Sequence, residues 1–250
     1  MINTGQEIIY SDNDLLTTVG FQLGPNEKAF YALEGFIGNN CGAVEWLKSS
    51  ILNSESYNNN QSEDISPISN IHYGLMNGNC FKSLQENEVV FVPALRGLCA
   101  PSFLFQAKGF LSGLSIHTKS NSIFTAAKES ICFQTKTILE SLKKDCKHWP
   151  SLNKLIVGGD FSDNVDFLQL LADLCFLKIE RPQVSTSVGL GSLLSAALTM
   201  KCISIEEFKN AYSPPIDIYY PKLNVEVSEQ RYVKWLSNFK TSLYVHEQKN

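Results

Sequence analysis

Long runs of like charge, paired-cysteine motifs and long apolar stretches are all missing from this 250-residue chain, and each absence removes a class of function. The 21 basic and 25 acidic residues leave a net charge of −4 with no block of either sign. No electrostatic footprint for nucleic acid or an anionic membrane surface is therefore expected. Seven cysteines, at positions 41, 80, 99, 132, 146, 175 and 202, are scattered and odd in number. None forms a CxxC pair with a matching cysteine or histidine cluster, which argues against a disulfide framework or a structural metal site. The compartment reads as reducing, and the default for Cys132 and Cys175, inside amphipathic segments, is a small buried thiol. The start "MINTGQEIIYSDND" has neither a basic nor an apolar leader region, and no apolar run approaches the roughly 18 residues of a membrane span. A cytoplasmic protein without a transmembrane segment is expected. The sequon Asn60-Gln61-Ser62 is accordingly expected to stay unmodified. Neither GxGxxG nor GxxxxGK(S/T) is found, which speaks against a Rossmann-type oxidoreductase and a P-loop enzyme.

What is present is enough apolar sequence, 44% of the chain, to bury a sizeable core. Turn signals at Asn13-Asp14 and Gly24-Pro25-Asn26 flank the strand candidates "LLTTVGFQL" and "AFYALEG", which predicts an antiparallel pair. Val44 and Leu47, with Trp46 alongside, point to a helix from residue 39 or 40 to about 51. The polar stretch 53–70 reads as a flexible surface loop. "EVVFVPAL" (88–95) and "GFLSGLSI" (109–116) are candidates for buried strands. Ile123, Ala127, Ile131, Gln134, Ile138 and Leu142 recur at three- and four-residue spacing, predicting a helix over 122–144 capped by Ser120 or Asn121. Lys143-Lys144 suit the negative end of its dipole, and Trp149-Pro150 breaks the pattern. Further on, "KIERP" (178–182) reads as a strand and 187–198 as a small-residue helix buried beside a cleft. Ser228 to about Val245 closes the chain as a helix with Tyr232, Trp235, Leu236 and Phe239 on one face. Strand and helix alternate from Val89 onward, which argues for an α/β fold with a mixed sheet.

The most informative stretch is "LNKLIVGGDFSDNVDFLQLLADL" (152–174). A strand over 154–157 runs into Gly158-Gly159. A helix follows, with Ser162 or Asp163 as its cap and Val165, Leu168, Leu171, Ala172 and Cys175 facing inward. A strand that ends in glycines and feeds a helix start exposes backbone N–H groups and the positive end of a helix dipole, a general cradle for anions and nucleotides. By itself, a Gly-Gly turn reads first as a purely structural tight turn.

Five blocks in order carry more: "YALEGFIGNNCGAVEWLKS" (31–49), "VVFVPALRGLCAP" (89–101), "KESICFQTKTILESL" (128–142), "LIVGGDFSDNVDFLQLLADL" (155–174) and "IERPQVSTSVGLGSLLSAAL" (179–198). Together they resemble the C-terminal domain of the FGGY carbohydrate kinases, most of all the glycerol kinase-like branch, from Met1 to about Val245. The resemblance implies an actin-like (ribonuclease H-like) α/β domain spanning 1–250. It also implies transfer of the γ-phosphoryl group of Mg-ATP to a hydroxyl of a small polyol such as glycerol.

Within that resemblance, Gly97 matches a glycine that approaches the nucleotide phosphates, Gly158 and Gly159 match the pair against which adenosine packs, and Asp163 or Asn164 matches an asparagine that contacts adenine. Where the family carries "TGLGAPYW", this chain has "RGLCAPSF". Arg96 is thereby placed to contact or block a phosphate, and Cys99 to crowd the phosphates. Val157 also stands where the family has an aspartate before the glycines. The family's catalytic aspartate, its Gly-Thr-Gly phosphate loop, the polyol contacts and the Mg2+ ligands match nothing in this chain. It is expected to be an N-terminally truncated half that binds adenine nucleotide, and to phosphorylate a polyol only together with the missing first domain. Asp12, Asp14, Glu34 and Asp160 read as turn or cap residues and the four histidines as surface residues. The alternative is a non-catalytic nucleotide-binding or interaction protein that docks a partner, or a second copy, through the uncovered small-residue helix.

Overall fold

The computed structural model describes residues 1–24, 26–38, 40–51, 88–146, 152–184 and 186–247. The expected loop at 53–70, the sequon and the Trp149-Pro150 break lie outside them. Strands β1 (Ile2–Gly5), β2 (Leu16–Phe21) and β3 (Phe30–Glu34) form an antiparallel sheet in the order β1-β3-β2. The expected β2–β3 pair is there, and β1 adds a second edge to β3. Helix α1 (Asn40–Trp46) runs on into a π-helical turn, Leu47–Ile51. Val44 and Leu47 are buried, whereas Trp46 keeps 38% of its surface. Strands β4 (Val90–Val92) and β5 (Phe110–Ser112) pair antiparallel. Only β4 is fully buried, so the expectation of two buried strands holds for one of them.

The core gathers around three helices, α2 (Ser120–Asp145), α3 (Val165–Cys175) and α6 (Val225–Glu247), packed against each other and against β4. Ile123, Ala127, Ile131, Ile138 and Leu142 of α2 are buried at the predicted spacing, with Gln134 at the margin. Neither Ser120 nor Asn121 caps this helix: it starts from Lys119, whose extended backbone supplies no side-chain cap. The middle of α2 is enclosed on more than one side, so Glu129 and Lys136 are buried with it. Such burial requires partners, because an unpaired charge in this environment is strongly destabilising. Glu129 has its partner in Arg231 of α6, whose Nε donates to Oε1 at 3.0 Å and whose Nη2 donates to Oε2. Lys136 reaches Glu229 at 2.6 Å. Phe133, Tyr232 and Trp235 stack in the same seam with ring centroids 5.7 and 5.8 Å apart from Phe133, and the Trp235 indole donates to the Phe91 carbonyl at 3.1 Å. Cys132 and Cys175 are buried, as expected, and burial pushes the Cys175 thiol up to about 12.

A mixed sheet lies beside this core. β6 (Lys154–Ile156) pairs parallel with β7 (Lys178–Pro182), and β7 pairs antiparallel with β8 (Ile216–Tyr219). Helices α4 (Ser187–Thr199) and α5 (Ile205–Ala211) connect β7 to β8. Helix α4 has no buried residue, which corrects the expectation of a buried helix. Its apolar side chains meet no neighbour that would enclose them, and Val188 and Leu193 keep 80% and 67% of their surface. Among the described residues, no helix is long and apolar enough to cross a membrane.

Candidate functional site

The parallel pair β6–β7 sets the site, since the open end of parallel strands is where α/β folds leave a crevice. Val157 N–H donates to the Glu180 carbonyl at 2.9 Å and so extends the ladder one residue past β6. At Gly158-Gly159 the chain leaves the sheet. Gly159 has φ +89°, a backbone state that a Cβ makes costly, and no atom lies within 4 Å of where its Cβ would be. A 3-10 turn, Asp160–Asp163, follows and is pinned back by Ser162, whose amide and hydroxyl both donate to the Gly159 carbonyl at 2.8 and 2.6 Å. This added turn moves the helix cap one residue beyond the expected Ser162 or Asp163. The cap is Asn164, whose Oδ1 accepts from Phe167 N–H at 2.9 Å. It also leaves Val165, the first residue of α3, 51% exposed rather than facing inward.

Opposite the glycines stands the start of α4. A Cβ on Gly158 would lie 3.6 Å from Ser187 Oγ, while one on Gly191 would meet nothing within 4 Å. Ser187 and Gly191 are four residues apart and share a helix face. The face that begins opposite the Gly-Gly turn therefore carries one hydroxyl and then bare backbone. Thr186 caps α4 by accepting from Gly189 N–H at 3.2 Å. The result is an open notch between the Gly158-Gly159 turn and the first turn of α4, with Gly191 one turn further along the helix. A flat ring can approach bare backbone closely, and the positive end of α4 lies beside it. The glycines of α4, costly in a helix interior, are the sequence signal that places this helix beside a cleft.

Charge around the notch is ordered. Arg181 of β7 donates to Asp163 in the 3-10 turn through Nη2 and to Asp217 of β8 at 3.3 Å through Nη1. Lys154 and Lys178, at 2.8 and 2.7 Å, hold the Glu180 carboxyl below the usual carboxylate range. Of the two residues expected near adenine, Asn164 is buried and its oxygen serves the cap, and Asp163 is exposed with its carboxylate taken by Arg181.

The other predicted residues sit on a separate loop. Gly97 has φ +81°, and a Cβ there would be 2.5 Å from the Phe105 carbonyl oxygen, so close backbone packing requires this glycine. Arg96 beside it is exposed. The Cys99 sulfur lies 2.9 Å from where a Gly38 Cβ would be, so the thiol fills space above the β3–α1 connection. There it lines a small apolar recess with Phe36, Ile37, Ile138, Leu236 and Phe239. No hydrogen bond among the described residues joins this loop to the Gly158-Gly159 turn. No group of three or more His, Cys, Asp or Glu side chains among them could hold a metal ion.

Comparison with known proteins identifies the family and the fold. Residues 2–200 match the model of the FGGY family of carbohydrate kinases, C-terminal domain. The chain is 31% identical over 237 residues to a glycerol kinase of Haloarcula marismortui, with 94% of this chain and 42% of the relative covered. It is 34% identical over 208 residues to a glycerol kinase of Arabidopsis thaliana, with 80% and 36% covered. Among solved structures, Plasmodium falciparum glycerol kinase with ADP superposes with TM-score 0.75 at 27% identity over 97% of this chain and 44% of that one. A ligand-bound xylulose kinase from Lactobacillus acidophilus, 16% identical, shares the fold with TM-score 0.66 over 95% and 44%. The α/β, actin-like fold expected from the sequence is the one found, and the chain spans less than half the length of these relatives.

Proposed function

Since this chain belongs to the FGGY family of carbohydrate kinases, we propose that it is the adenine-nucleotide-binding part of a kinase that phosphorylates a small polyol, with glycerol as the acceptor. One domain over 1–250 goes with this reading, because α6, beyond the family match, packs into the same core as α2 and α3. The observation that carries the proposal is the notch between the Gly158-Gly159 turn and the start of α4, with space where Cβ atoms would be at Gly159 and Gly191. ADP or ATP would place its adenosine against Gly158-Gly159, with Asp163 and Asn164 holding the turn in shape. Gly97 and Arg96 would serve the phosphates.

The bound nucleotide supplies the phosphoryl group. The chain's own residues supply shape: glycines that let the ligand reach the backbone, and a cap and ion pair that fix the turn. Neither a catalytic base nor a metal ligand is assigned to the described residues. The glycerol kinase relatives and the ADP-bound structural neighbour support this choice of acceptor and nucleotide.

Titrating the purified chain with ADP by calorimetry tests the proposal. Saturable binding is expected, weakened at least tenfold in Gly159→Val, whose side chain would enter the notch and strain a positive-φ position. Absence of saturable binding up to about 1 mM, the top of the usual KM range, would overturn it.

A second reading has one observation in its favour. Val188, Leu193 and Met200 leave α4 with an exposed apolar surface, which suits a chain that docks a protein partner without turnover. Gel filtration with a dye for exposed apolar surface tests this reading, since a clean, stable monomer that binds no dye would count against it.

A further inference from the structure

We infer that Arg181 is a positioning residue for the nucleotide turn, an inference that rests on the proposed nucleotide site. The 3-10 turn Asp160–Asp163 joins the glycines to α3. Its near end is fixed by the β6 ladder through Val157, and its far end by the Asn164 cap. Between these anchors, the Asp163 carboxylate is the handle that reaches the sheet. It is 76% exposed, yet it is held by Arg181, which has only 22% of its side chain exposed.

Arg181 can do this because β7 is the middle strand. Its neighbour Glu180 accepts the Val157 amide, and its cross-strand partner is Asp217 on β8. One guanidinium thus ties three segments: the turn after the glycines, the middle strand and the antiparallel edge. Asp217 is steadied in turn by Gln183 Nε2 at 2.8 Å. Both carboxylates are engaged by the two terminal nitrogens, while Arg181 Nε is buried with no hydrogen-bond partner among the described residues. An orphaned buried donor opposes stability. Arginine at 181 therefore trades one unmade hydrogen bond for a fork that spans two carboxylates, which a lysine's single ammonium cannot match.

The test uses the whole chain with Arg181→Met, Arg181→Lys and Asp163→Asn, reading amide hydrogen exchange over 158–163 and ADP affinity separately. In Arg181→Met the turn amides are expected to exchange about fivefold faster, the scale of a partly exposed ion pair. Exchange in α2 should stay unchanged, and ADP should bind more weakly by a similar factor. Arg181→Lys should recover part of both effects. Asp163→Asn, which removes one carboxylate charge and leaves the arginine in place, should reproduce the exchange change if Arg181→Met folds poorly. Turn exchange equal to wild type in both Arg181→Met and Asp163→Asn, or a rise spread equally over every helix, would overturn the inference. If the wild-type chain binds no ADP, the proposed function fails and the nucleotide role of Arg181 falls with it. The exchange data still decide whether Arg181 holds the turn.

Discussion

The α2–α3–α6 seam and the notch between Gly158-Gly159 and α4 are built on opposite terms. In the seam, side chains are committed to one another: Glu129 to Arg231, Ser228 to the Leu174 carbonyl at 2.9 Å, Trp235 to Phe91, and Phe133 to both aromatic neighbours. Around the notch, α4 buries nothing and two glycines face open space. Its elements are held by local devices instead: the Thr186 and Asn164 caps, the reciprocal Ser204–Glu207 capping box of α5 and the Arg181 bridge. Stability is concentrated where no ligand is needed. The surface left uncommitted is where one would bind.

Breaking the seam should have the largest effect. Trp235→Ala removes a 3%-exposed ring and its hydrogen bond to the Phe91 carbonyl, and is expected to lower unfolding free energy by about 4 kcal/mol in a urea titration. Leu193→Ala on α4 should stay within about 0.5 kcal/mol. Equal losses at the two positions would erase the distinction between the regions. Next in size is Glu129→Gln, which removes the buried carboxylate charge from the fork with Arg231 and should cost about 3 kcal/mol on the same measure. Exchanging both residues for apolar ones of similar volume is expected to recover most of that loss, since a buried pair need not be net stabilising.

The seam was also the more legible region, although only its apolar part. Spacing placed Ile123, Ala127, Ile131, Ile138 and Leu142 on one face, named the Tyr232–Trp235 face of α6 and located β7 at 178–182. It could not find the Glu129–Arg231 pair, whose members are 102 positions apart, because a charged residue reads as solvent-facing until a partner is known. Caps were misplaced where an irregular turn intervened, as at Asn164, or where none existed, as at Lys119. Strands β1 and β8 and helix α5 are short, and their own patterns are weak; β8 exists through its pairing with Arg181 and its neighbours on β7. At the notch, the Gly-Gly turn was legible as a turn. Small residues and costly interior glycines predict a buried α4, because they permit close packing against a neighbour, yet no such neighbour encloses it. Its place beside the Gly158-Gly159 turn rests on the approach of Ser187, 3.6 Å from where a Gly158 Cβ would be, which no local pattern encodes.

The smaller predictions concern the glycines and separate backbone strain from open space. Gly159→Ala meets no neighbour but must hold φ +89°, which should destabilise the chain by about 1 kcal/mol. Gly191→Ala differs only in backbone state: it is helical, and the added methyl likewise meets nothing within 4 Å. It should therefore stabilise the chain by about 0.5–1 kcal/mol, because alanine gains helix propensity and narrows the unfolded ensemble. Thermal melts give the two signs, and ADP titration of the same variants gives the meaning of the second. If Gly191→Ala melts higher and binds ADP more weakly, the methyl has entered space the ligand uses, and that glycine is present for the site at a cost to the helix. If it melts higher and binds equally well, the ligand touches only the Gly158-Gly159 wall, and α4 borders the site without forming it.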